Sequence, residues 1–186
     1  MRTEDPLDIE YRSHDRVQKL TDVVRFCVED ISLSFDRWDE PYITGPGLYF
    51  AIISGYTVRD HADPMGDNRW PISKCRDVLN DVDSFYEATS DVARLRDGAV
   101  VISVDGIVQE QMVRFRDYAS TSDEDNGHTV EYADWMGSRH MSAADTSARP
   151  EVITAITLSA ENGRVTLFED GDYTTMPRND LYQAWL

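Results

Sequence analysis

The chain of 186 residues predicts a single α/β domain, spanning 1–186, with a mixed central β-sheet flanked by helices. Three observations carry this. Apolar residues recur at helical spacing between Val17 and Ile31. A continuous apolar run, Leu48 to Ile53, lies between Gly47 and Gly55. After Pro150 come short apolar segments separated by turn formers. Periods of 3.6 and 2 alternating along one chain indicate helices packed on a sheet.

The first helix carries Val17, Leu20, Val23, Val24, Cys27, Val28 and Ile31 on one face, with Asp15 placed to cap its N-terminus. The run LYFAII has no polar alternation, so it predicts a strand buried on both faces in the middle of the sheet. Between Tyr56 and Pro71 the residues are polar and rich in turn formers and predict an exposed loop. Val78, Leu79, Val82, Phe85 and Tyr86 restore helical spacing. Ala99 to Val104, the Asp105-Gly106 pair and Ile107 to Phe115 predict a hairpin with a type I′ turn. A polar, acidic connection through His128 leads to a helical stretch running through Trp135, His140 and Ala144, which Pro150 ends. VITAITL, RVTLF and DYTTM, separated by SAENG and EDG, predict a closing antiparallel set.

Charge narrows the function classes. Asp and Glu number 35 against 18 Lys and Arg, for a formal charge of −17, and Lys19 and Lys74 are the only lysines. Phosphate backbones and anionic membranes are engaged by basic patches, and no such patch is visible, so neither nucleic acid nor membrane is an expected partner. The acids are spread from Glu4 to Asp180 and not gathered into a tail. That pattern favours adaptation to molar salt, as in a halophile, over a dedicated acidic interaction surface. Cys27 and Cys75 form no CxxC pair and read as buried thiols; with no signal-type segment after Met1 and no run of 18 apolar residues, the expectation is a cytoplasmic protein.

Three short stretches could carry chemistry. Asp97-Gly98-Ala99 stands where a helix yields to a buried strand, and presents a carboxylate beside an unobstructed backbone. Gly137 and Ser138 precede Arg139 and His140 near a helix start, where amides, a hydroxyl and a guanidinium suit phosphate oxygens. His140 could also carry a proton or bind a metal. Ser159-Ala160-Glu161-Asn162-Gly163 places Glu161 at a loop tip. His14, His61 and His128 lie in polar surroundings without ligand spacing and read as solvent-facing.

The order DGAVVIS, then GSRH and a small-residue helix, then a strand, SAENG and another strand resembles the diadenylate cyclase domain. That family's signatures are Asp-Gly-Ala and Gly-Thr-Arg-His-Arg, followed by a strand and a Ser-Glu-Glu-x-Gly-like turn. The resemblance runs from about 47 to 167, and implies condensation of two ATP molecules into cyclic di-AMP with release of two pyrophosphates. It implies that Asp97, with Gly98 and Ala99 beside it, contacts the ribose 3′-hydroxyl and metal, and that Gly137, Ser138 and Arg139 hold phosphates. His140 contacts metal or phosphate, and Glu161 is a second carboxylate. A divalent ion, Mn²⁺ or Mg²⁺, is implied as cofactor. Because the product is two-fold symmetric, self-association into a face-to-face dimer is expected. Met141 stands in place of the second arginine, Ser138 in place of threonine, and Ala160 in place of the first acid of the turn. The Met141 departure keeps a second reading in view, a catalytically inactive nucleotide-binding module of the same fold.

Overall fold

The computed structural model describes residues 10–118 and 130–186. A short 3-10 turn, Tyr11–Ser13, leads into helix α1, Asp15–Ser34. Val17, Leu20, Val24, Cys27, Val28 and Ile31 are buried along one side of α1, as their spacing requires. Its cap lies one residue earlier than expected: His14 is extended, and its Nδ1 accepts a hydrogen bond from the Arg16 amide at 3.2 Å. Asp15 is therefore the first helical residue, its charge beside the positive end of the helix dipole.

The remaining elements are β1 (Leu48–Ile53), β2 (Ala62–Arg69), α2 (Val82–Leu95), β3 (Val100–Ser103), β4 (Gln111–Phe115), α3 (Ser138–Ser147), β5 (Val152–Leu158), β6 (Val165–Glu169), β7 (Asp172–Met176) and α4 (Arg178–Trp185). Five strands form one sheet in the order β3-β1-β5-β6-β7. β1 pairs parallel with β3 and antiparallel with β5, and β5, β6 and β7 follow as antiparallel neighbours. The fold is thus a single α/β domain with a mixed sheet.

β1 occupies the inner position that its unbroken apolar run predicts, and all six of its residues are buried. Its two faces serve two cores. Leu48, Phe50 and Ile52 join α1 and α2 residues, with Trp70 and Phe85, on one side. Tyr49, Ala51 and Ile53 join Val113, Phe115, Ala143 and Ala144 on the other. The period-2 alternation of a strand assigns alternate side chains to opposite cores. Phe50, Trp70 and Phe85 pack with ring centroids 5.5 to 6.1 Å apart; each such buried aromatic contributes on the order of 2 kcal/mol. Cys27 and Cys75 are free and buried, and burial pushes the Cys27 thiol up to about 12. Among the described residues no helix is long and apolar enough to cross a membrane.

Several expectations are corrected. The loop expected between Tyr56 and Pro71 contains β2, which pairs antiparallel with β4 in a separate two-stranded sheet. All of β2 but Ala62 is at least partly exposed, so it carries no apolar alternation. Its stabilisation comes from the ladder to β4 and the Asp63–Arg116 pair at 2.6 Å. The hairpin forms only in part: β3 gives its main edge to β1, and β3 and β4 meet through the bridges Ile102 to Val108 and Ala99 to Val113. Its turn is not type I′, which needs positive φ at two central residues. Only Gly106 has it (φ +89), with its amide on the Ser103 carbonyl at 2.8 Å. Val78 and Leu79 precede α2 instead of belonging to it; the Val78 amide bonds to Gly106 O, while Asp81 caps α2 through the Ser84 amide at 3.0 Å. Trp135 sits in the turn before α3, and α3 ends at Ser147, ahead of Pro150. His61 is half-buried and pairs with Glu151 at 2.7 Å, where a solvent-facing ring was expected; His128 lies outside the described residues. Helix α4 has no counterpart in the sequence reading, since Leu181 alone of its residues is buried.

Candidate active site

Asp97 stands between the end of α2 and the head of β3. Its own Oδ1 accepts the Gly98 amide at 2.8 Å, and Gly98 adopts φ +105, a conformation that L side chains resist. A Cβ at Gly98 would lie 3.0 Å from Met65 Cγ and 3.1 Å from the Val113 carbonyl oxygen. The glycine thus turns the chain where β4 lies against it. Ala99 then enters the buried sheet, bridged to Val113.

On the other wall, α3 starts at Ser138 after an extended Gly137, with no side chain among the described residues capping its first turn. The first amides of a helix have no intrahelical partner, and with the dipole they favour an anion. Arg139 extends from this turn toward Asp97. Its Nη2 lies 3.5 Å from Asp97 Oδ1, and its Nη1 donates to the Leu158 carbonyl at 3.5 Å. Gly47 lets the guanidinium pass: a Cβ there would come within 2.3 Å of Arg139 Nη1. Both Arg139 contacts are long, so the guanidinium is near Asp97 without being saturated by it.

His140 is 6% exposed and its Nε2 has no hydrogen-bond partner among the described residues. Burial first, then the charges of Arg139 and Arg164, push its pKa down to about 4, so the ring is neutral at neutral pH. A neutral imidazole presents Nε2 either as a donor to phosphate or as a lone pair for a metal. Trp135 holds the ring edge-to-face at 5.2 Å, and the Arg164 guanidinium lies over Trp135 at 4.4 Å. Arg164 therefore sits beside His140 without a carboxylate partner among the described residues.

These groups line one cleft of about 770 Å³, well within the size range of small-molecule sites. Asp97, Gly98, Ala99, Gly137, Ser138, Arg139, His140 and Glu161 all lie on its wall. Glu161 is exposed at the turn between β5 and β6, its amide donating to Ser159 Oγ at 3.3 Å. Met141 is also on the wall, 39% exposed. Sequence reasoning missed Tyr49, Trp135, Asp145 and Arg164 as site residues. Tyr49 and Arg164 looked like ordinary strand residues, and Trp135 like part of a helix. Asp145 had a legible signal, an acid within the small-residue run SAADTS.

The donor set sets limits on a metal. Among the described residues no group of three or more His, Cys, Asp or Glu side chains is placed to hold an ion. Asp97 and His140 can offer one carboxylate and one neutral nitrogen to the same cleft. One oxygen and one nitrogen donor suit a transition ion such as Mn²⁺ better than oxygen-seeking Mg²⁺, with the remaining ligands coming from phosphate oxygens and water.

No family model matches the chain, and no curated protein does. Two solved structures share its architecture. DacA from Staphylococcus aureus, crystallised as a double mutant, aligns with a TM-score of 0.51 at 17% identity, over 91% of this chain and 93% of its own. A hypothetical membrane-spanning protein from Bacillus cereus aligns with a TM-score of 0.55 at 16% identity, over 84% of this chain and 62% of its own. At these identities the likeness concerns the fold alone: the chain is a mixed-sheet α/β domain of the DacA type.

Proposed function

We propose that the protein is a diadenylate cyclase that joins two ATP molecules into cyclic di-AMP. The observation that carries this is the meeting of Asp97, at the head of β3, with Arg139 and His140, at the start of α3, on one cleft. The shared fold with DacA, a diadenylate cyclase, supports the same reading. Arg139 and the first-turn amides of α3 bind and orient the phosphates, and Arg139 shifts its weak pairing from Asp97 to the incoming charge. The freed Asp97 carboxylate accepts the proton of a ribose 3′-hydroxyl. That oxygen bonds to the α-phosphorus of the other nucleotide while the α–β bridging bond breaks and pyrophosphate leaves. Two such events close the ring, so two loaded protomers meet face to face about a two-fold axis. A divalent ion held by Asp97 and His140 would offset charge on the phosphates. The rest is alignment and electrostatics.

The test is to incubate purified protein with ATP and Mn²⁺ or Mg²⁺ in low and molar KCl, and to follow cyclic di-AMP by mass spectrometry. Product is expected from the wild type, with activity retained in molar KCl, and none from Asp97→Asn. Wild-type product from that variant would remove Asp97 from the mechanism. One observation favours the second reading, an inactive nucleotide-binding module: Met141 places an exposed thioether on the cleft where a cation is expected. ATP binding without turnover would establish it. Met141→Arg should raise ATP affinity or rate if the missing donor matters.

A further inference from the structure

The cleft wall carries an acid that the proposed chemistry does not use. Asp145 is 4% exposed on α3 and lies on the cleft with the aromatic side chains of Tyr49, Phe115 and Tyr132. Its two carboxylate oxygens differ. Oδ2 accepts the Tyr118 amide at 2.5 Å, whereas Oδ1 is buried with no hydrogen-bond partner among the described residues. Among the described residues no cation lies within ion-pair distance of it. A buried carboxylate oxygen left unpaired is destabilising until a water, an ion or a ligand group completes it, and on a cleft wall a ligand can do so. Burial, then the charges of Asp145 and Asp117, push the Tyr132 phenol up.

Taking the cleft to bind a nucleoside triphosphate as proposed above, we propose that Asp145 Oδ1 selects the base by accepting a hydrogen bond from an exocyclic amino group. The ligand class is a nucleotide whose base carries such an amine, with a 6-aminopurine preferred over a 6-oxopurine. Of these aromatic side chains Tyr132 is the exposed one, and stacking on its ring would tolerate any base, so discrimination falls to the acceptor. A 6-oxo group in the same place would present its own lone pairs to the carboxylate, and the base would have to shift to bring its N1–H opposite Oδ1 instead. Sites built around one hydrogen bond reject an analogue that lacks it far better than sites built on shape.

Asp145→Asn gives a directional test. The Tyr118 amide still needs an acceptor, so the asparagine oxygen turns to it and the amide nitrogen takes the place of Oδ1. The site would then donate where it formerly accepted. Binding is measured by calorimetry with α,β-methylene analogues of ATP and ITP in Mg²⁺, which cannot release pyrophosphate. Wild type should favour the ATP analogue by about 10- to 100-fold, the range for a hydrogen bond to a charged acceptor. The variant should lose or reverse that preference. A purine riboside analogue with hydrogen at position 6 gives a check on wild type that needs no variant; it should bind as weakly as the ITP analogue or nearly so. Equal wild-type affinity for all three, or an unchanged preference in a folded Asp145→Asn, overturns the role of Asp145 while leaving nucleotide binding intact. Binding of none of them overturns that role and the nucleotide reading together.

Discussion

Gly47→Ala isolates the placement of Arg139. An ideal Cβ at Gly47 lies 2.3 Å from Arg139 Nη1, 3.2 Å from its Cζ and 3.0 Å from the Ala160 Cβ. Ordinary non-bonded contact is about 3.5 Å or more, so the guanidinium has to retreat by roughly 1 Å. Its contacts with Asp97 and the Leu158 carbonyl are already at 3.5 Å, and both break. The backbone itself tolerates alanine, because Gly47 is not among the positive-φ glycines. A Gly→Ala change at such a site reduces the freedom of the unfolded chain, a gain of about 0.4–1 kcal/mol that offsets the crowding. Stability should therefore move by less than about 1 kcal/mol, read as the urea midpoint. A charge-assisted bond from Arg139 to phosphate, lost through displacement, is worth about 1.5–3 kcal/mol, or about 10- to 100-fold in ATP affinity. The decisive measurement is a double-mutant cycle. Once Arg139→Gln has removed the guanidinium, adding Gly47→Ala should cost no further affinity. Unchanged ATP affinity in Gly47→Ala at unchanged stability would refute the assignment of Arg139 as a phosphate ligand.

Two further outcomes follow from groups on the same wall. His140 has a folded pKa of about 4 against an ordinary 6.5, so in that window the unfolded chain binds the proton that the folded chain refuses. Its contribution is fully present above pH 6.5 and is lost as pH falls toward 4, by about 3 kcal/mol in all. Urea midpoints between pH 7.5 and 4.5 should fall more steeply in wild type than in His140→Gln, and parallel curves would mean that the ring is not buried neutral. Gly98→Ala forces a side chain to φ +105 against Met65 and the Val113 carbonyl. It should cost about 1–3 kcal/mol in denaturant titrations, and an alanine variant as stable as wild type would show that the Asp97 turn is relaxed.

Much of the scaffold was readable from patterning. The six apolar residues of β1 demanded an inner strand, and the spacing from Val17 to Ile31 demanded a helix with one buried side. Asp-Gly-Ala and Gly-Ser-Arg-His marked the two walls of the cleft as short local signals. β2 escaped because Ala62 is its one fully buried residue; its ladder to β4 is a relation between distant segments that neither shows alone. The β3–β4 hairpin was half right for the same reason. Asp-Gly marked the reversal, but whether the strands keep each other or take outside partners depends on β1 and β2.

The sequence by itself determined which segments could be buried and which chemical groups sat at their ends, because periodicity and turn chemistry act over a few residues. Only the tertiary structure decided that Asp97 and Arg139 lie 3.5 Å apart, that Trp135 bridges His140 and Arg164, and that one oxygen of Asp145 is left unpaired. Those facts depend on how α3 packs against the sheet, through contacts between residues dozens of positions apart, and pairing at such separations leaves no mark on local composition.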